Sequence, residues 1–437
     1  MRMILNFIKL KQQFNFINLE NIENLLINLS PHIFYIAKLY LKCFVVLYEM
    51  TPRYRYKIHD KLYDLTDFVK IHPGGMDMFN HLKLDSNITP MLYLYHKNIN
   101  TILTLLPKYE VPLTADLIIK YDTNYTYDKY SELKKLVHTE IHEKKIPLYW
   151  SNNEIAYNAC MFLLYLGIWV YCFWYAINLS YWWMVLLAFM NISYVALVFH
   201  ETSHYTGFKN QKMNNAISYL IMAPIITTEE WKYEHNYLHH GFTNTVYDSD
   251  FEDNKYAIRQ AHYHPHYFHH RFQFIYTYAL FSLVIFSKGP INSIINKRWN
   301  ILLFFTVLYK FGYIHAFIMY GLTGILFSLI AQLSHIQYEC IQLNTANKND
   351  FLYNQVSSSM NYKTDHLFTR TICFGLDLQI EHHLFPNIPH SSLRKIQHIV
   401  RTYCEKNDIP YIEKPSMLHM ISSYACYLYN IGQGQLY

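Results

Sequence analysis

Apolar and polar positions run along this chain in long blocks, not in the short periods of a water-soluble domain. Residues 155–177 and 181–199 are almost wholly apolar. Each is long enough to cross the ~30 Å hydrocarbon core of a bilayer as a helix, and the Asn-Leu-Ser at 178–180 between them predicts a hairpin. Residues 216–226 are apolar but too short to span, which predicts a segment that dips or lies at the interface. Three further apolar candidates follow at about 272–288, 299–316 and 317–334. Residues 107–150 are polar and charged, with a helix expected over 128–145. Upstream, YKIHDKLYDLTDFVKIHPGG at 56–75 predicts two short strands around a His-Asp-Lys turn, then a short helix over 66–70 and a sharp corner. The first 49 residues are rich in Asn, Ile and Leu. Their apolar stretch at 33–48 carries Lys38 and Lys42, so it inserts poorly, and the basic–apolar–small order of a signal peptide is missing. Met50 is therefore the expected functional start, with 1–49 as an extension.

Polar residues become informative where the apolar blocks end. Three histidine clusters stand there: His200-Glu-Thr-Ser-His204, His235-Asn-Tyr-Leu-His239-His240 and Gln379-Ile-Glu-His382-His383. On an α-helix, offsets of three and four bring side chains to one face, within reach of a shared ion. Adjacent histidine pairs alone are weak, since a third pair, His269-His270, sits outside the pattern. The order HxxxH, HxxxHH, QxxHH beside apolar spans is specific, and it predicts a metal site at a membrane surface. Imidazole suits iron, and neutral nitrogen ligands tolerate either valence. Seven box histidines are too many for one ion and fit two. One centre also requires all three boxes on the same face, hence an even number of crossings. Of the three later candidates, 299–316 carries Lys310 and His315 and is expected to lie at the far interface, which leaves four spans. His269 and His270 are expected at the interface, and His262, His264, His266 and His390 on the surface. The Tyr and Trp residues at 149–184 read as membrane-belt residues.

His72 and His96 form a second constellation, 24 residues apart. Two neutral imidazoles on opposite walls of a small pocket are what a six-coordinate electron-transfer haem needs. Pro73 and the two glycines after it allow a tight turn beside the first ligand. A surface loop with two unrelated histidines gives the same spacing.

Composition narrows the class. The chain has 52% hydrophobic and 18% aromatic residues, including 42 Tyr and 28 Phe, against 16% charged. A net charge of +5 is too mild and dispersed for nucleic-acid binding. The seven cysteines, at 43, 160, 172, 340, 373, 404 and 426, form no CxxC, which fits reduced thiols in place of a disulfide scaffold.

Residues 54 to about 110 resemble a cytochrome b5 haem-binding domain, with His72 and His96 matching its axial ligands; Ser86-Asn-Ile-Thr-Pro-Met-Leu departs from the usual run after the corner. Residues from about 150 to 420 resemble a membrane fatty-acid desaturase. Gln379 in the third box, the fused haem domain and FGLDLQIEHHLFPNIPHSSLRKI at 374–396 resemble its front-end class. The resemblance implies a mostly α protein: a membrane domain of about four spans with a cytosolic histidine-rich di-iron cap, plus a small α+β cytochrome b5-like domain. The expected organisation is an extension (1–49), the haem domain (50–110), a linker with a surface helix (111–150), the desaturase domain (151–425) and a tail (426–437).

Two iron ions would be held by His200, His204, His235, His239, His240, His382 and His383. His335 would join them as an accessory ligand, and Gln379 as a weak ligand or a partner of metal-bound water. Glu201, Glu234, Asn244, Asp248, Asp250 and Glu381 are candidates to orient ligand N–H groups. Removing hydrogen from an unactivated methylene needs an oxidant stronger than any side chain. The resemblance supplies one: electrons from NAD(P)H pass through cytochrome b5 reductase and haem b to di-iron, which uses O2 to insert a double bond between an existing one and the carboxyl end of an acyl lipid or acyl-CoA. It also implies the endoplasmic reticulum, with haem domain and boxes facing the cytosol, and no nucleic-acid partner. Trp231 and Tyr233 either line an acyl channel or pack the core. Three other readings use the same framework: sphingoid-base desaturation, acyl hydroxylation, and electron transfer by a membrane-anchored cytochrome.

Overall fold

The computed structural model describes residues 54–435, apart from 115–116, 176–178, 222–226, 296–299, 344–348, 365–370 and 374. The 1–49 extension, Met50, the turn at Asn178 and the end of the 216–226 segment lie outside the described residues.

Alternation builds the small upstream sheet. Tyr56, Ile58 and Leu62 are buried, and the strands Arg55–Ile58 and Lys61–Asp64 pair antiparallel from Arg55↔Asp64 to Ile58↔Lys61. Ser86–Asn87 adds in parallel to the first strand and Glu110–Val111 antiparallel to the second, giving four strands. The helix expected over 66–70 is only a 3₁₀ turn, Val69–Ile71. His72 leaves it in extended geometry (φ −60°, ψ 126°), as a residue before proline prefers. Helix Thr89–Tyr95 opens on a proline and ends at His96, itself extended.

The linker helix forms as expected, over Asp128–Glu143. Its buried residues Tyr130, Leu133, Lys134, Val137 and Ile141 fall on one stripe. That stripe holds the upstream domain firmly: Lys134 Nζ donates to the carbonyls of Tyr93 and His96, at the end of the Thr89–Tyr95 helix.

Among the described residues, three helices are long and apolar enough to cross a membrane: Asn152–Trp174, Tyr181–Ser203 and Phe304–Leu333. The first is started by a Ser151–Glu154 capping box, and only 6% of its apolar window is buried against protein. Its Leu163 and Trp174 are 66% and 80% exposed, a surface that is stable only in hydrocarbon. The second is 61% buried and forms the middle of the bundle. Asn191, in its π-helical stretch Asn191–Ala196, accepts from Tyr165 (2.6 Å) and donates to Thr323 (3.2 Å), joining three helices by polar contacts.

The candidates at 299–316 and 317–334 are one helix, Asn300–Leu333, broken at Gly312 (φ 78°) rather than between residues 316 and 317. Glycine alone takes that backbone without steric cost, so the break falls where it stands. His315, just past the break, donates from Nε2 to Leu179 O at 2.9 Å, so the break lies level with the turn that joins the first two helices. Helix Gln273–Ile295 packs antiparallel against this element, pairing Phe281 with Gly324 and Phe286 with Phe317. A Cβ at Gly324 would stand 2.4 Å from Phe281 O. Gly324→Ala is therefore expected to cost about 1–3 kcal/mol by overpacking, read as a lowered Tm in detergent; an unchanged Tm would show that the two helices separate there.

Helix Met417–Gly432 packs on the start of Gln273–Ile295 through Phe274–Tyr429 (5.1 Å) and a Gln273 Nε2 donation to Leu428 O (2.9 Å). The expected tail from 426 thus begins inside a packed helix. Two histidine placements differ from expectation. His264 is buried against Glu252 (3.0 Å), and His270 is buried with its Nε2 donating to Tyr256 O (3.2 Å). Polar partners hold both rings inside: Glu252 takes His264, and the Tyr256 carbonyl and Tyr267 N–H take His270. His262, His266 and His269 are exposed.

Candidate metal centre

The first box ends the Tyr181–Ser203 helix, with His204 as its cap residue. The second lies on a π-helix, Lys232–His239, not on the α-helix its spacing suggested. In a π-helix, residues five apart come into register. His235 and His240 accordingly meet Nε2 to Nε2 at 3.3 Å, while His239 turns toward other partners. The third box forms a one-and-a-half-turn helix, Gln379–Leu384, which is buried throughout. His335 follows Leu333 at the end of the long broken helix.

These elements bring eight imidazoles into one buried cluster, in two sets. His200, His204, His235 and His382 each offer a nitrogen, all within 4.8 Å of one another; so do His239, His335 and His383. His240 lies between, with its ring 4.7 Å from His204, 4.7 Å from His382 and 4.4 Å from His383. His235 and His239 also group with Asp250.

Four rings are tied by Nδ1, which leaves Nε2 as the lone-pair nitrogen. His239 Nδ1 donates to Asp248 (3.0 Å), His335 Nδ1 to Ser358 O (2.9 Å) and His383 Nδ1 to Gln355 Oε1 (3.2 Å); His204 Nδ1 meets the Tyr95 hydroxyl at 2.9 Å. The Nε2 atoms of His204, His382 and His383 are buried without a hydrogen-bond partner. Oriented, partnerless lone pairs in two clusters are a metal-ligand arrangement.

Electrostatics agrees with the geometry. Burial, reinforced by the neighbouring imidazoles, pushes His204, His240, His335, His382 and His383 well below the ordinary histidine value. Burial also takes His235 down to about 4 against the pull of Asp250. These rings are neutral at physiological pH and can ligate. His239 is the exception: burial lowers it, but the Asp248 carboxylate outweighs burial and raises it. Asp248→Ala should weaken iron binding roughly 10–100-fold, measured by iron titration of the purified protein; unchanged affinity would remove Asp248 from the site.

Of the other residues expected to orient ligands, only some act on box histidines. Asp250 lies 3.9 Å from both His235 Nδ1 and His239 Nδ1. Asn244 donates to the backbone oxygen of His335 (3.0 Å), so it positions chain, not ring. Glu381 binds Tyr411 and Asn361 (2.7 Å each), because the third box must be fastened to the Asn361–Tyr362 and Glu413–Lys414 strands. Glu234 is half-buried beside Tyr233. Glu201 holds the Trp150 indole and His390, whose Nδ1 lies 3.1 Å from it. His390 is thus no surface residue: its ring stacks 5.1 Å from His382, and its Nε2 is buried without a partner. Gln379 donates from Nε2 to His335 Nε2 (2.9 Å), and its Oε1 is buried without a partner.

Sequence reasoning missed Tyr95, Gln355, Ser358 and His390. Only His390 carried a local signal, standing in the run that continues the third box. The Trp231/Tyr233 alternative resolves by direction. Trp231 stacks on His235 (4.1 Å) and packs on Phe199 and Phe327, whereas the Tyr233 hydroxyl bonds to Tyr121.

Helices suited to a membrane, joined to a buried cluster of eight histidines that could hold metal, define a membrane protein with a candidate metal site. The family model described as "Fatty acid desaturase" matches residues 179–415. The chain belongs to that family and is an acyl-lipid desaturase, an oxidoreductase. It is 24% identical over 272 residues to the sn-1 linoleoyl-lipid 6-desaturase of Synechocystis sp., covering 54% of this chain and 75% of that one. It is 23% identical over 430 residues to the acyl-lipid (8-3)-desaturase of Physcomitrium patens, covering 86% and 87%. It is also 23% identical over 433 residues to the acyl-lipid (8-3)-desaturase B of Dictyostelium discoideum, covering 86% and 90%. No solved structure matches.

Proposed function

We propose that this protein is a front-end acyl-lipid desaturase whose two-iron centre is reduced by its own haem domain. The observation that carries the reading is the division of buried, neutral imidazoles into two ligand sets. Iron bound there supplies the O2-dependent oxidation of a methylene pair that no side chain can perform. His200, His204, His235 and His382 would hold one ion and His239, His335 and His383 the other. His240 stands between them, Gln379 beside His335.

Asp248, Gln355 and the Ser358 carbonyl fix which nitrogen each of their imidazoles presents. Trp231, stacked on His235 and packed on Phe327, sets an apolar surface between the ligands and the membrane helices. The names of the Synechocystis and Physcomitrium relatives support an acyl-lipid substrate and front-end placement of the new double bond.

His72 and His96 fit a haem. Their rings lie 5.9 Å apart, with His72 Nδ1 donating to Gly75 O (3.0 Å) and His96 Nδ1 to Leu92 O (3.1 Å), which leaves both Nε2 atoms as ligands. Electrons would come from NAD(P)H through cytochrome b5 reductase. The break at Gly312 supports four spans: Gln273–Ile295 and the part of Asn300–Leu333 after the break form the second hairpin, and the part before it lies at the far interface. With four spans, all boxes and the haem domain would share one side of the membrane, and the resemblance to the family's haem-fused members favours the cytosolic face of the endoplasmic reticulum.

The test is fatty-acid profiling by gas chromatography and mass spectrometry of yeast expressing the full chain and fed di- and tri-unsaturated acids. A new acid, with its extra double bond on the carboxyl side of an existing one, is the expected product. New long-chain bases without a new fatty acid, or no lipid change, would overturn the reading.

A further inference from the structure

One side chain joins the two cofactor sites of the proposed enzyme. Tyr95 immediately precedes His96, at the end of the Thr89–Tyr95 helix, and points out of the upstream domain into the metal cluster. Its hydroxyl lies 2.9 Å from Nδ1 of His204, and the two rings are nearly parallel at 13°. Nδ1 of His204 is spoken for by this contact, and its buried Nε2 is left to the ligand set. From His96 the path runs through one peptide, the Tyr95 side chain, a single hydrogen bond and the His204 imidazole. Every other step along it is covalent.

The contact is held in place from both sides. Lys134 fastens the helix end by donating to the Tyr93 and His96 carbonyls. Asp77, five residues after His72, takes a buried ion pair from Lys232 of the second-box π-helix and a hydrogen bond from Tyr205 (2.6 Å), the residue after His204. Tyr237, on the same π-helix, donates across to the Ser86–Asn87 strand (2.9 and 3.0 Å to Ser86 Oγ and Asn87 O). The haem-type domain is thus packed on the metal cluster, not swung on its linker.

We propose that Tyr95 is the electron bridge from the haem to the metal centre, and that it also positions His204. This rests on the haem and di-iron reading above. Each transfer moves one electron: a ferrous haem held by His72 and His96 becomes ferric, and one ferric ion in the set that includes His204 becomes ferrous. The phenol enters and leaves the step as a neutral, protonated group.

The test uses the full-length protein in detergent, loaded with haem and iron. The haem is reduced anaerobically by NADH and cytochrome b5 reductase, and its reoxidation by the ferric centre is followed by stopped-flow absorbance. Tyr95→Phe removes only the hydroxyl. The expected result is an unchanged haem spectrum and iron content with reoxidation slowed roughly tenfold, the low end of what losing an outer partner of a ligating histidine costs. Tyr93→Phe makes the same chemical change on the same helix, where the hydroxyl faces His59 instead (3.3 Å), and should leave the rate unchanged.

An unaltered rate in Tyr95→Phe overturns the bridge. A rate that falls only in proportion to lost iron overturns it too, leaving Tyr95 as a positioning residue alone. Slowing of both variants alike would show a loosened helix and no bridge. If the wild-type protein binds no haem, or no iron beyond it, the parent reading has failed and not the bridge.

Discussion

His382→Ala abolishes formation of the new double bond, a loss larger than the roughly 10–100-fold that removing an outer-shell partner costs. His382 is buried with neither ring nitrogen hydrogen-bonded, and its ring lies 4.5 Å from His200 and 5.0 Å from His204. Among the described residues no hydrogen-bond partner uses that imidazole, which packs on His200, His204, His240 and His390. Its truncation therefore removes a ligand while sparing the packing that holds the Gln379–Leu384 helix, which depends on Glu381, Tyr411 and Asn361. On the proposed reading iron content should fall while the haem absorbance stays, because the His72–His96 pair shares no ligand group with His382. The measurements are product analysis in fed yeast and metal content of the purified variant. Desaturation at the wild-type level would take His382 out of the centre.

Lys232→Met should be the most damaging single change to stability. Lys232 is wholly buried, with its ammonium on Asp77 and Asn215 Oδ1 (2.8 Å). Removing one partner of a buried pair strands the other charge, at about 3–5 kcal/mol. The lower end applies, since the Asp77 side chain keeps 23% exposure and the Tyr205 hydrogen bond. Chemical denaturation in detergent, read by haem absorbance, checks this; a loss below about 1 kcal/mol would contradict a buried-pair role.

The pH dependence has a definite sign. Burial raises the Asp77 pKa, but His81, Lys232 and Tyr205 together outweigh it and hold the carboxyl well below its usual range. A depressed folded-state pKa contributes stability above the unfolded value and loses it only as pH falls through the folded value. In the wild type this contribution therefore persists through mildly acidic pH and is lost only in strong acid.

Much of the site was legible because its chemistry is local. HxxxH and HxxxHH mark the candidate ligands whatever helix carries them, and the apolar blocks beside them mark the membrane. Asp248 was also legible, nine residues past the ring it orients. Glu201 and Glu381 were misassigned for one reason: a carboxylate next to a ligand in sequence points the other way on a helix. Glu201 serves His390, and Glu381 serves Tyr411.

The sequence by itself determined the candidate ligand histidines, the His72/His96 pair, the linker helix and the apolar segments, because each rests on residue type and short spacing. Only the tertiary structure decided which histidines group together, since that follows from a π-helix at Lys232–His239 that no α-helical spacing rule anticipates. It alone placed the break at Gly312, a matter of one positive φ among several glycines. It alone brought Tyr95 to His204 across 109 residues of chain, and Gln355 to His383 across 28. Contacts of that kind arise when separately formed elements bury their stripes against one another, and no periodicity within either element records the partner.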